Sequence, residues 1–146
     1  MIAQTIQLAL APVFVMVAIG SILATLSMRL GRIVDRSREM QALHGKTEGV
    51  EHDMVVSEIR SLDRRIAVIG RAILLLVLSG LSIGTTVVLL FVEEIIRVDL
   101  QQLAAGTFIL AIGLLMIALL LFLMETREAS RALRIPRELL ELHRKL

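Results

Sequence analysis

The sequence predicts an all-α membrane protein. It has three transmembrane helices, oriented N-out and C-in, and a helical hairpin that extends from spans one and two into the cytoplasm. Three observations predict it. Hydrophobic residues make up 56% of the 146 positions and the mean hydropathy is +0.81, well above a water-soluble domain. The charges are segregated, with none in residues 1–28, 72–92 or 100–124. The sixteen Lys and Arg residues lie between or after these runs, unevenly enough to set an orientation. So apolar a chain is not disordered. The absence of cysteine excludes a disulfide framework and a thiolate metal site. With no Trp or Tyr, the aromatic belt common at membrane interfaces is missing.

A bilayer core of about 30 Å needs about 20 apolar helical residues. Leu8–Met28, Ala72–Val92 and Leu103–Met124 each supply such a run. Each is expected to be a helix, because an isolated strand in lipid would leave its backbone unpaired. Pro12 is expected in the first turns of span one, where a missing N–H costs little. The first run has no Lys or Arg before it and a long apolar core, so it reads as a retained span rather than a cleaved signal peptide. Segment 29–71 carries nine Lys and Arg and the tail 125–146 carries six, whereas 93–102 carries only Arg97, beside Glu93, Glu94 and Asp99. Positive charge marks the cytoplasmic side. The hairpin 29–71 and the tail are therefore expected inside, as parts of one membrane domain covering 1–146.

The hairpin itself is legible from periodicity. Ile59, Leu62, Ile66, Ile69, Ile73 and Leu76 step by alternating threes and fours into span two, while Leu26, Leu30, Ile33, Ser37, Met40 and His44 do so out of span one. These are coiled-coil seams that can face each other, and Gly45 and Gly49 offer left-handed positions for the turn between them. The two helices are expected to continue about 20 Å beyond the membrane. In the tail, Leu139, Leu140, His143 and Leu146 form a short apolar face after Pro136. That face suits packing on the hairpin or lying on anionic lipid.

Chemistry is sparse. Gly45-Lys46-Thr47 resembles half of a phosphate loop, but the first glycine such a loop needs is replaced by Met40 and a helix stands where a strand should precede it. His44, Glu48, Glu51, His52 and Asp53 cluster at the hairpin tip without metal-ligand spacing, so no metal and no cofactor is expected. No Ser/His/Asp set lies on elements expected to converge, which argues against an enzyme. Span two carries a stripe of one-face residues: Val68, Ala72, Leu75, Ser79, Ser82, Thr86 and Glu93. Around a central axis these would form an apolar collar, a hydroxyl-lined middle and an acidic mouth, the elements of an ion path. Ordinary helix packing accounts for the same pattern. Arg29, Arg32 and Arg36 share a face just past span one, suited to lipid phosphates. Small residues recur on span one (Ala11, Ala18, Ser21, Thr25 and Gly20-x-x-x-Ala24) and on span three (Ala104, Thr107, Ala111, Ala118, ending at Glu125). So many close-packing faces imply a homo-oligomer.

Pro12, the stretch Arg29-Leu30-Gly31-Arg32-Ile33-Val34-Asp35-Arg36 and the stretch Leu62-Asp63-Arg64-Arg65-Ile66 together make the chain resemble an uncharacterised bacterial family of small three-span membrane proteins, a domain of unknown function. That resemblance implies a multi-pass protein of the bacterial inner membrane. The topology is also similar to the ExbB/TolQ/MotA stators, proton-driven motor subunits, but the cytoplasmic segment here is shorter and no span contains an acidic residue. Two functions compete on this reading. One is a homo-oligomeric ion-conducting pore lined by span two. The other is a structural or regulatory scaffold, or stator-like accessory subunit, whose hairpin docks a cytoplasmic protein partner. The partners expected are the bilayer, further copies of the chain, ions for a pore, and no nucleic acid.

Overall fold

The computed structural model describes residues 2–132. Three helices follow in order: α1 (Ile2–His44), α2 (Gly49–Ile96) and α3 (Gln101–Ala132). All three are long and apolar enough to cross a membrane, which makes the chain a multi-pass membrane protein. Large side chains such as Phe14, Val17, Leu74, Leu81, Ile109 and Leu120 are exposed on the outer faces of these helices, as expected where lipid is the solvent. The apolar face of the tail at Leu139, Leu140, His143 and Leu146 lies outside the described residues.

The first two helices are longer than a membrane span requires. At about 1.5 Å per residue, the 43 residues of α1 and 48 of α2 are each about twice as long as a bilayer core is thick. α1 starts at Ile2 rather than at the apolar boundary, so Pro12 sits inside it and not in its first turns. Residues 2–7 have no helix breaker, and the helix extends through them. Pro12 then deprives the Leu8 carbonyl of its helical donor, a cost that the first-turn placement would have avoided.

α2 is the central helix and packs against both others. Towards α1 it buries Val55, Leu62, Ile69, Leu76 and Ile83. The α1 line is Thr5, Pro12, Ile19, Leu26, Ile33 and Met40, again every seventh residue. Partly buried Leu30, Ile59, Ile66 and Ile73 complete the same core. Apart from His44, which is exposed, the two seams read from the sequence are the buried and partly buried faces of an antiparallel pair.

Towards α3, α2 presents a second line, Ala72, Ser79 and Thr86, opposite Ala104, Ala111 and Ala118, all of them buried. Small residues on both sides let the backbones approach closely.

The turn between α1 and α2 is short. The Lys46 amide and the Thr47 hydroxyl donate to the Leu43 carbonyl at 2.9 and 3.2 Å and close α1. Only Gly49 of the two turn glycines takes a positive φ, 65°. Between α2 and α3, Arg97 adopts the left-handed conformation at φ 57° and donates its amide to the Glu93 carbonyl. Asp99 then accepts from the Gln101 amide at 3.1 Å, satisfying one free donor at the start of α3.

Candidate functional site

The most densely bonded polar cluster among the described residues ties all three helices at the end of the spans from which the hairpin emerges. Arg29 is the first charge after the apolar run of α1, and Glu125 is the first after that of α3. Arg65 stands two helical turns before Ala72 on α2. The Arg65 guanidinium donates to Glu125 Oε1 from Nη2 at 2.8 Å and from Nε at 3.3 Å. Arg29 Nη1 lies 3.4 Å from Glu125 Oε2, donates to Thr126 Oγ1 at 3.0 Å, and carries its guanidinium carbon 5.3 Å from the centre of the Phe122 ring. Thr126 in turn donates to the Phe122 carbonyl.

The Glu125 side chain has no exposed area, whereas those of Arg65 and Arg29 are 21% and 28% exposed. A carboxylate so deep needs both charge and hydrogen bonds to offset its desolvation. Here Oε1 receives them from Arg65, while buried Oε2 accepts no hydrogen bond and has only the nearby Arg29 charge. The cations keep partial water contact through their long stems, as snorkelling side chains do at an interface.

The cluster is the end of a regular register. Ser79 donates to the Ala111 carbonyl at 2.7 Å, and the Thr86 and Thr107 hydroxyls lie 2.8 Å apart. From Ser79 with Ala111 to Arg65 with Glu125, α2 descends fourteen residues while α3 climbs fourteen. Ala72 and Ala118, both buried, fall midway.

Within one chain, part of the stripe expected to line an ion path lies against α3. Ala72, Ser79 and Thr86 are buried against α3 of the same chain, and Val68, Leu75 and Ser82 are partly buried. Glu93 is partly exposed, beyond the apolar run. Within the chain the stripe is a packing face and not an open one. The physical reason is that small and hydroxyl-bearing side chains suit a close helix crossing, and the α3 backbone supplies the acceptor Ser79 requires.

The three arginines grouped as lipid contacts also separate. Arg29 belongs to the Glu125 cluster. Arg36 pairs with Glu58 of α2 at 2.9 Å and Glu39 at 2.8 Å, and those carboxylates hold its pKa above the usual arginine value, Glu58 most strongly. Arg32 is exposed and makes no ion pair among the described residues.

At the hairpin tip, the His44 and His52 rings are 4.5 Å apart and tilted. No group of three or more His, Asp and Glu among the described residues is placed to hold a metal ion. At the opposite end, α1 and α3 flank an apolar groove of about 240 Å³ between Leu8, Pro12, Ala104 and Phe108, with Thr86 and Leu90 also lining it.

The spacing of these features along one chain finds a counterpart. Residues 9–135 match the family described as Protein of unknown function (DUF2721). The chain belongs to that family. The matched region of this DUF2721 chain takes in the three ionic residues, the hairpin, the second and third apolar runs and all but the first residue of the first. No curated protein and no solved structure matches it.

The sequence pattern ends the span-three line of small residues at Glu125 and has Arg65 in the stretch entering span two, and nothing along either helix by itself joins them. The signal was present: Ala104, Ala111, Ala118 and Glu125 are spaced by sevens, as are Thr86, Ser79, Ala72 and Arg65. Laid antiparallel, the two lines put opposite charges level.

Proposed function

We propose that the chain is a structural or regulatory scaffold of the bacterial cytoplasmic membrane, oriented N-out and C-in, with its hairpin held in the cytoplasm for a protein partner. The observation that carries this reading is the coverage of the span-two stripe by α3, with Ser79 bonded to the Ala111 carbonyl. A conducting path along that stripe would require α3 to leave, with loss of this bond and of the Thr86–Thr107 contact. The Arg29–Arg65–Glu125 cluster sits where the hairpin emerges and fixes the three helices relative to one another. A hairpin anchored in that way suits a stiff docking arm, its paired seams acting as a coiled coil.

Self-association is part of the reading. On α1, Gly20, Ala24, Ser27 and Gly31 form an exposed line of small residues, and a Cβ added at either glycine would meet nothing within 4 Å. Such a line lets a second helix approach closely in lipid.

Two measurements test the proposal. Purified protein in liposomes should pass no ions under voltage or pH gradients, and Leu75→Ser should be equally silent. A photo-cross-linking residue at Arg60, exposed on the hairpin, should give a discrete protein adduct in cells. A protein-dependent current that Leu75→Ser enlarges would replace the scaffold with the pore.

A further inference from the structure

The α2 face that receives α3 does not stop where the described part of α3 stops. Continuing from Arg65 towards the hairpin tip, it runs through Ser61, Ser57, Met54 and Val50, which with Asp53 and Glu58 line a groove of about 480 Å³. Val50 is 77% exposed and Met54 69%. Both lie about five to six helical turns beyond the apolar run that begins at Ala72. Lipid does not account for their exposure as it does for that of Leu74 or Leu81. Two large apolar side chains in water beside a line of serines form a surface prepared for a partner.

We propose that this partner is the chain's own segment 133–146, lying along the groove as a continuation of the α2–α3 interface. Three observations select it. The first is register. The α3 line Ala104, Ala111, Ala118, Glu125 continues by sevens to Ala132, Leu139 and Leu146, and the pairing of Glu125 with Arg65 sets Leu139 level with Glu51, between Val50 and Met54.

The second is length. From Ala132, level with Glu58 on the same register, the seven residues to Leu139 cover about 10 Å of helix, the distance from Glu58 to Glu51. The third is charge. On the extended register Arg137 would fall level with Asp53, an exposed acid with no ion pair among the described residues. A proline kinks a helix without deleting a residue, so a helix continued through position 136 would keep the seven-residue count. The segment would thus cover the exposed Val50 and Met54 side chains of this groove and extend the described interface along most of the hairpin. The docking does not depend on the side of the membrane on which the hairpin lies.

The cysteine-free chain allows a direct test on the full-length protein in its membrane. Met54→Cys combined with Leu139→Cys should form a disulfide within one chain under a mild oxidant, seen as a reductant-sensitive shift at monomer mass. Arg60→Cys with Leu139→Cys, on a different face of α2, should stay reduced. In the otherwise native chain, Met54→Asp should speed tryptic cleavage after Arg137 several-fold, since an exposed segment is cut faster than a docked one. A nitroxide at Leu139 should be little relaxed by a nickel chelate attached to lipid headgroups. Absence of the Met54–Leu139 bond, a bond that links two chains, unchanged trypsin sensitivity in Met54→Asp, or strong relaxation by the lipid chelate would each overturn the proposal. The last result would put the segment on the membrane surface.

Discussion

Arg65 and Glu125 are joined by a guanidinium–carboxylate contact of 2.8 Å across α2 and α3, and the carboxylate end has no exposed area. Arg29 of α1 closes on the other oxygen. Each helix thus contributes one charge to a single cluster at the point where the apolar spans give way to the hairpin.

Breaking that cluster from one side should be costly. Glu125→Gln leaves two guanidinium groups facing a neutral amide, and Arg65→Leu leaves a buried carboxylate with one cation at 3.4 Å. Removing one partner of a buried pair typically costs about 3–5 kcal/mol. Each single variant should melt well below wild type in detergent, followed by circular dichroism. The double variant Arg65→Leu/Glu125→Leu should recover part of the loss, and a double-mutant cycle measures the coupling.

The exposed pair Arg36–Glu58 provides the contrast. It has a comparable distance, 2.9 Å, but both side chains are more than two-fifths exposed. Water and salt screen such a pair. Arg36→Ala should leave the melting midpoint close to wild type, even though the neighbouring carboxylates favour the charged form of this guanidinium.

The α2–α3 crossing should be intolerant of bulk. Ala111 has no exposed area and its carbonyl accepts from Ser79. Ser79→Ala removes one hydrogen bond, worth about 0.5–1.5 kcal/mol, and leaves the carbonyl oxygen without that donor. Ala111→Leu forces the backbones apart, and overpacking a tight core costs about 1–3 kcal/mol or more. Thermal melts of the two variants should therefore rank Ala111→Leu as the more damaging.

The turn glycines should respond differently to alanine. Gly49 holds φ 65°, and a left-handed residue with a Cβ costs about 1–2 kcal/mol. A Cβ at Gly45 meets nothing within 4 Å and its φ is not positive. Gly49→Ala should destabilise the hairpin in thermal melts and Gly45→Ala should not.

The orientation has its own test. A cysteine at Glu51, on the hairpin, should react with an impermeant thiol reagent only after cells are opened. One at Asp99, in the connection before α3, should react in intact cells. The reverse pattern would invert the topology.

Much of the fold was legible in the residues. Charge-free runs of this length leave a helix as the one backbone solution in lipid, and the seams at Leu26–Met40 and Ile59–Leu76 mark the faces that meet because apolar periodicity is a local property of the chain. The extent of α1 was less so. Pro12 suggested a start near it, whereas the uninterrupted helix from Ile2 keeps the proline inside.

What the sequence alone determined, then, is which segments are helical, where they are apolar, and which stripes want a neighbour. Tertiary structure decided which neighbour each stripe received. Ser79 and Thr86 could have faced a pore axis, a second copy or α3, since a hydroxyl is satisfied by any nearby acceptor. Only the antiparallel register of α2 and α3 supplies the Ala111 carbonyl to Ser79 and carries Arg65 to Glu125. That register depends on side-chain shapes across an interface between residues far apart in the chain, and no window along one helix contains them both.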